Sequence, residues 1–355
     1  MPSETTEREF LATGEAQFVR EARFYEKLAD GRVKCRACPR GCVVAEGSRG
    51  DCGVRENRGG MLRTLVYARA CAAHADPIEK KPLFHFLPGT LAFSIATAGC
   101  NVHCAFCQNW EIAQSRPEEI PAEFVPPERV VEAARATGCA SIAFTYTEPT
   151  VFAEYAIDVA EAGRAAGLRS VAISNGFVAG EAREALYGAM DAVKIDLKAF
   201  SERFYREQVH AQLRPVLDSL VALRAMGKWV EIVSLLVPTL NDGEEELRAM
   251  AAWIKANLGG DVPLHFSRFH PAYRLNDLPT TPLATLERAK AIAEAEGLRY
   301  VYLGNVAGHE AENTYCPACK KLLVERRGFS ADARQIDAQG ACAFCGAAIA
   351  GVWHA

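Results

Sequence analysis

The sequence predicts an α/β fold: a partial (β/α)6-type TIM barrel, preceded by a small cysteine-rich region and followed by a short ribbon-like tail. Three observations predict it. From residue 91 onward, short apolar runs rich in β-branched residues alternate with amphipathic stretches, the pattern of βαβ units and a parallel sheet. The alternation stops after Gly308. The thirteen cysteines fall into groups of four (35, 38, 42, 52), three (100, 104, 107) and four (316, 319, 342, 345), with Cys71 and Cys139 left over. Six or seven βα units suit a full or partial barrel, and an open doubly wound sheet is the alternative.

The elements follow in chain order. Residues 1–30 read as a polar leader and then a helix, with Phe18, Ala22, Phe24, Tyr25 and Leu28 as its apolar members and Gly31 as its stop. Residues 31–90 are rich in Gly, Arg and Cys. They hold short β-like pieces such as 62–67, after the turn signal Asn57-Arg58-Gly59-Gly60. Such a small irregular domain needs a cross-link. Residues 91–308 form the barrel, with strands expected at 91–96, 141–144, 170–173, 192–195, 230–237, 264–269 and 300–303. Leu247, Met250, Ala251, Ile254 and Leu258 follow helical spacing up to Gly259, and Thr281-Pro282 opens a further helix that Gly297 closes. Residues 309–355 are a second small domain carrying the last four cysteines.

Composition excludes several function classes. The 355 residues are 50% hydrophobic and 24% charged, which is ordinary for a globular chain and unlike a disordered or collagen-like one. The net charge of −4 provides no global attraction for nucleic acid or anionic membrane. No apolar run approaches the roughly 18 residues of a membrane helix, and the charged N-terminus lacks a signal-peptide core. A cytoplasmic location is expected. There, closely spaced cysteines bind metal or do chemistry more often than they form disulfides.

The middle group carries the chemistry. Cys100-x3-Cys104-x2-Cys107 directly follows the first barrel strand. Three thiolates on one loop can each ligate a different iron of a cubane. That leaves the fourth iron open, whereas ordinary 4Fe–4S clusters take four cysteines. Barrel active sites sit at the C-terminal strand ends, and polar residues recur there: Thr145-Tyr146-Thr147-Glu148-Pro149-Thr150, Ser174-Asn175-Gly176, Asp196-x-Lys198, Asn241-Asp242, Arg268-Phe269-His270 and Gly304-Asn305. Burying Glu148, Asn175, Asp196, Lys198 and His270 in one mouth is costly unless they bind something.

The loop, with Phe106 before its last cysteine, resembles the signature of the radical SAM superfamily. The resemblance implies a 4Fe–4S cluster whose open iron binds the amino and carboxylate groups of S-adenosylmethionine. Reduction then gives methionine and a 5′-deoxyadenosyl radical that abstracts hydrogen from a substrate. On that basis Glu148 suits the ammonium, Lys198 the carboxylate, and Asn175, Asp196 or His270 the ribose. These positions also resemble those of glycyl-radical-enzyme activases of the pyruvate formate-lyase activating type. The departure is Thr147-Glu148-Pro149 in place of that family's Gly-Gly-Glu-Pro. A closer resemblance runs through Asp76-Pro77-Ile78-Glu79-Lys80-Lys81-Pro82-Leu83-Phe84-His85-Phe86, through Cys107-Gln108-Asn109-Trp110-Glu111-Ile112 and through Tyr300-Val301-Tyr302-Leu303-Gly304-Asn305-Val306. These stretches look like the AmmeMemoRadiSam-system radical SAM enzymes. That family's name implies association with AMMECR-type and Memo-type proteins, and its chemistry implies an external reductant such as flavodoxin or ferredoxin. It supplies no substrate and no catalytic residue beyond the cofactor ligands.

The outer groups read as closed metal sites. Cys316-x2-Cys319 and Cys342-x2-Cys345 are two knuckles of a tetrahedral site, with zinc favoured and rubredoxin-type iron the rival. Cys35, Cys38, Cys42 and Cys52 suit either zinc or a second Fe–S cluster, and Cys38-Pro39 is reminiscent of ferredoxin runs whose spacing it does not match. Cys71 and Cys139 read as core residues, and His74 and His85 as structural. The basic stretch 55–69 reads as a solvated face. Two classes of function stand against each other: a radical enzyme acting on a protein or a small molecule, and a non-catalytic, metal-stapled adaptor that binds protein or RNA. The intact loop with Glu148, Lys198 and His270 favours the enzyme.

Overall fold

The computed structural model describes residues 14–354. Its described residues form two compact units, one from 14–74, 93–103 and 109–190, the other from 75–92, 104–108 and 191–354. The barrel elements follow the predicted alternation, and labels here number those elements alone. They are β1 (Leu91–Ala96), α1 (Pro127–Ala136), β2 (Ser141–Phe144), α2 (Ala153–Ala165), β3 (Arg169–Ser174), α3 (Gly180–Ala189), β4 (Ala192–Asp196), α4 (Leu213–Ala225), β5 (Trp229–Leu236), α5 (Glu244–Leu258), β6 (Leu264–Arg268), α6 (Leu283–Ala295) and β7 (Val301–Gly304).

In the first unit β2 pairs in parallel with β3, with Ser141 opposite Arg169, and β1 neighbours β2. In the second unit β4, β5, β6 and β7 pair in parallel in chain order. Within each unit the strands lie in sequence order with no switch point, which favours barrel-type winding over a doubly wound sheet. The strands read as continuous apolar runs because both faces are buried: all four residues of β2 are inaccessible, as are Ala192, Val193 and Ile195 of β4. The fold is thus α/β with a mostly parallel central sheet.

The N-terminal region departs from expectation. The part of the predicted leader and helix that lies in residues 1–13 is outside the described residues. From residue 15 the chain forms a 3-10 turn (Glu15–Phe18) and two short strands (Arg20–Glu21 and Tyr25–Lys27), not a helix. Phe18, Ala22 and Phe24 are indeed buried. They share the even parity of a strand, and pairing of Arg20 with Thr64 and of Tyr25 with Cys35 supplies the backbone partners. A helix this short gains little on its own, so tertiary pairing decides. The hairpin at Asn57-Arg58-Gly59-Gly60 is present: Arg58 faces Met61, and Gly59 and Gly60 take φ of +63° and +70°, the left-handed pair a two-residue hairpin loop requires. Residues 31–74 are tied to α2 by a fully buried ion pair. Arg55 reaches both oxygens of Glu154 at 2.8 and 2.7 Å, and the Arg23 amide adds a third donor at 3.0 Å.

In the second unit the tail forms an antiparallel sheet of Thr314–Tyr315, Leu322–Arg327 and Ser330–Asp332. Its Leu323, Val324, Ile336, Ile349 and Trp353 share one apolar cluster with Phe84, Tyr300 and Tyr302. A polar network lies beside it. Glu231, at the N-terminal end of β5, accepts from the amides of Phe84 and His85 and from His265 and Trp229, at 2.8 to 3.1 Å. His85 is fully buried between the Ala350 carbonyl (2.6 Å) and the Tyr302 hydroxyl (2.5 Å). The carbonyl can only accept, so His85 carries its proton on Nδ1 and accepts from Tyr302. His85 is structural, as expected, whereas His74 is exposed.

Candidate active site and metal centres

The first unit positions Cys100. β1 leads into Gly99, whose φ is +93°. A Cβ there would stand 2.5 Å from Val54 and 2.8 Å from the Cys52 carbonyl, so glycine is required by both conformation and space. The Cys100 sulfur accepts from Asn175 Nδ2 at 3.8 Å. The same amide donates to Asn101 at 2.9 Å, and Asn101 donates to the Phe177 carbonyl at 2.7 Å. Asn175, at the end of β3, is thereby aimed at the cysteine loop as its sequence position suggested.

Glu148 follows β2 and is 1% exposed. Its Oε1 accepts from the Thr150 amide (3.0 Å), the Thr150 hydroxyl (2.7 Å) and Ser174 (2.9 Å), and its Oε2 from the Asn175 amide (2.7 Å). Burial pushes its carboxyl above the usual carboxylate range, against the pull of these donors. Three donors converge on Oε1 and one on Oε2, so both oxygens are engaged by the protein itself. In this structure Glu148 therefore ties the ends of β2 and β3 together and fixes the Asn175 backbone. Two residues earlier, Tyr146 takes φ +64°, the left-handed conformation that favours glycine. The chain thus adopts a glycine-like turn at the position where the activase pattern carries the first of its two glycines.

The second unit positions Cys104 and Cys107. The Ala105 amide donates to the Gln208 carbonyl at 2.8 Å, and the Ala105 carbonyl accepts from Arg274 N at 3.0 Å. Phe106 is buried, its ring 5.7 Å from that of Phe204, which explains an aromatic residue before the last cysteine. At the end of β4, Asp196 is bonded to both Lys194 and Lys198, the latter at 2.9 Å. Burial alone would raise the Asp196 carboxyl, but the two ammonium groups overcome it and hold it at about 2. Burial disfavours the Lys198 ammonium, and Asp196 with Cys104 more than offsets it, so its pKa is raised. Burial pushes the Cys104 thiol up to about 12, against the pull of Lys198. Lys198 is held from behind by Tyr205, which accepts from its amide at 3.1 Å, and by Asn241, which donates to its carbonyl at 2.7 Å. An ammonium has three donors, and one goes to Asp196. His270 is exposed after β6, 3.5 Å from the Thr280 hydroxyl.

Each unit therefore holds a loop cysteine with its own polar strand ends: Asn175 donates to Cys100 in the first, and Lys198 and Asp196 lie within electrostatic range of Cys104 in the second. Asn101, Ser174, Thr150, Lys194 and Tyr205 were missed as supports. Asn101 had a signal in its adjacency to Cys100. Tyr205 had none, because only folding brings it to Lys198.

The outer cysteines differ from each other. Among the described residues, Cys316, Cys319, Cys342 and Cys345 are the group whose ligand atoms all lie within 4.8 Å of one another. Cys316 is 3.6 Å from Cys345 and Cys319 is 3.7 Å from Cys342. Four thiolates on one ion at about 2.3 Å stand about 3.8 Å apart in a tetrahedron, so this set fits a single tetrahedral ion. Cys35, Cys38, Cys42 and Cys52 line one cavity without converging so closely. Cys139 is buried as expected, and Cys71 is only partly so.

A model of the radical SAM superfamily matches residues 94–254. An uncharacterized protein of Methanocaldococcus jannaschii is 47% identical over 329 residues, 92% of this chain and 98% of that protein. Among solved structures, a radical SAM methyltransferase from Sphaerobacter thermophilus is 13% identical at TM-score 0.48, covering 90% of this chain and 85% of that one. A domain of pyruvate-formate lyase-activating enzyme from Bacteroides vulgatus is 14% identical at TM-score 0.42, covering 47% of this chain and 99% of that one. Scores this low assign no function. No described helix is long and apolar enough to cross a membrane. The matched cysteine loop, the parallel α/β fold and the polar strand ends agree: the chain belongs to the radical SAM superfamily, whose members bind a 4Fe–4S cluster and S-adenosylmethionine and catalyse radical chemistry.

Proposed function

We propose that this protein cleaves S-adenosylmethionine reductively and uses the resulting radical to abstract hydrogen from a protein or small-molecule substrate. The observation that carries the reading is the Asn175 amide donating to the sulfur of Cys100, the first cysteine of the loop. Cys100, Cys104 and Cys107 would hold the cluster. When bound, the cluster supplies one electron to the sulfonium of S-adenosylmethionine, giving methionine and a 5′-deoxyadenosyl radical. This chain's residues bind and orient. Lys198, pre-charged by Asp196, supplies donors for the methionyl carboxylate. Asn175, held by Asn101 and Phe177, offers its amide oxygen to a sugar hydroxyl, and the exposed His270 after β6 offers its imidazole. The ammonium falls to backbone carbonyls in the strained turn at Tyr146 and Thr147, with Glu148 holding that turn in place. The reductant is of the flavodoxin or ferredoxin class. By the long motif resemblance, the protein acts in the AmmeMemoRadiSam system with AMMECR-type and Memo-type partners. Zinc occupies the tail quartet.

The test is anaerobic reconstitution followed by assay for 5′-deoxyadenosine and methionine under reduction. Cleavage is expected in the native protein and its loss in Cys104→Ala. A fully iron-loaded protein that binds S-adenosylmethionine without cleaving it would overturn the reading in favour of a non-catalytic adaptor.

A further inference from the structure

We infer that Cys35, Cys38, Cys42 and Cys52 hold a second iron–sulfur cluster of the 4Fe–4S type, while the tail quartet holds a single ion. The two quartets contain the same donors, so the difference lies in how the backbone spaces them. In the tail, two Cys-x2-Cys knuckles bring all four sulfurs within the 4.8 Å that one ion demands. At the N-terminal site Cys35 ends a strand (Val33–Cys35) and its amide donates to the Cys42 carbonyl at 2.9 Å. Cys38 sits in the intervening loop, and Cys52 arrives on a separate turn closed by Gly53 N to Gly50 O at 2.9 Å. All four line one cavity with Ala37, Val151, Asn101 and Arg55, yet they do not draw together as the tail sulfurs do. A cubane carries its thiolates on four different irons, so its ligands stand farther apart than ligands sharing one ion.

The surroundings suit such a group. Arg55 is 2% exposed, and its two terminal nitrogens are taken by Glu154, while its Nε has no hydrogen-bond partner. A buried N–H without an acceptor is costly. An iron–sulfur cluster brings sulfide acceptors and negative charge into the cavity, and hydrogen bonds to sulfur are a recognised means of tuning such clusters. Asn101 lines the same cavity and is bonded to Asn175, which donates to Cys100. The second cluster would therefore neighbour the first ligand of the radical site.

The experiment is iron and zinc counting with electron paramagnetic resonance on anaerobically reconstituted full-length protein. Three forms are compared: native, the triple variant Cys100→Ala/Cys104→Ala/Cys107→Ala, and the quadruple variant with Cys35, Cys38, Cys42 and Cys52 each changed to Ser. The native protein should bind about eight irons and each variant about four, with about one zinc throughout as a check that the tail has folded. The dithionite-reduced triple variant should still show a cluster signal. A triple variant with no iron and about two zincs would overturn the inference, as would a native protein with about four irons, all lost in the triple variant. If the radical-site reading alone fails, native and triple variant should hold the same four irons, so the two failures are distinguishable. If the triple variant does not fold, the quadruple variant still decides: a fall from about eight irons to about four supports the second cluster, and no fall overturns it.

Discussion

Replacing Glu148 by Gln probes the tie between β2 and β3 most directly. The amide must place its NH2 group against one of two fixed backbone donors, the Thr150 amide at Oε1 or the Asn175 amide at Oε2. The cheaper choice keeps the carbonyl at Oε1, where three donors converge, and leaves the Asn175 N–H facing another donor. One charge-assisted bond is lost, about 1.5–3 kcal/mol. The remaining three lose their charge assistance, roughly another 1–2 kcal/mol together. Relief from burying a charge offsets about half of that sum, leaving a net loss of about 1–2.5 kcal/mol. At about 2–4 °C per kcal/mol for a unit of this size, the melting temperature should fall by roughly 2–10 °C. Calorimetry measures the fall, and hydrogen exchange locates it: the amide of Asn175 should lose protection first. A Gln variant that melts within about 1 °C of the native protein, with Asn175 protection intact, would refute the reasoning.

Other predictions concern the rest of the chain. Arg55→Met strands the Glu154 carboxylate in the core with the Arg23 amide as its remaining donor, and should cost about 3–5 kcal/mol. Adding Glu154→Leu should recover much of it, as read from denaturant midpoints. Stripping the tail with a strong chelator should remove about one zinc per chain, with access through the exposed Cys345. Hydrogen exchange in residues 314–353 should then rise and Trp353 fluorescence shift, whereas unchanged exchange in metal-free protein would count against a structural ion. Burial pushes the His85 imidazole down to about 4, against the pull of Glu231. The unfolded chain therefore takes up the proton first, near pH 6.5, and stability should fall by roughly 3 kcal/mol between pH 7 and pH 4 from this group. His85→Phe, though less stable throughout, should lack that part of the slope.

The sequence alone determined the chemistry that local spacing can encode. The loop of Cys100, Cys104 and Cys107, its place after a strand, and the βα alternation are properties of neighbouring residues. Parallel strands buried on both faces, such as β2, announce themselves as apolar runs. The two-and-two spacing of Cys316, Cys319, Cys342 and Cys345 likewise implied a closed site before any coordinates. Only the tertiary structure decided matters that depend on partners distant in the chain. Residues 20–21 and 25–27 became strands because Thr64 and Cys35 offered them pairing, which no local pattern records. Glu148 became a tie because folding brought Ser174 and the Asn175 amide to it, twenty-six and twenty-seven residues away in the chain. The two cysteine quartets, alike in composition, separated only in space, because sulfur-to-sulfur distance depends on how strands and turns converge and not on which residues are present.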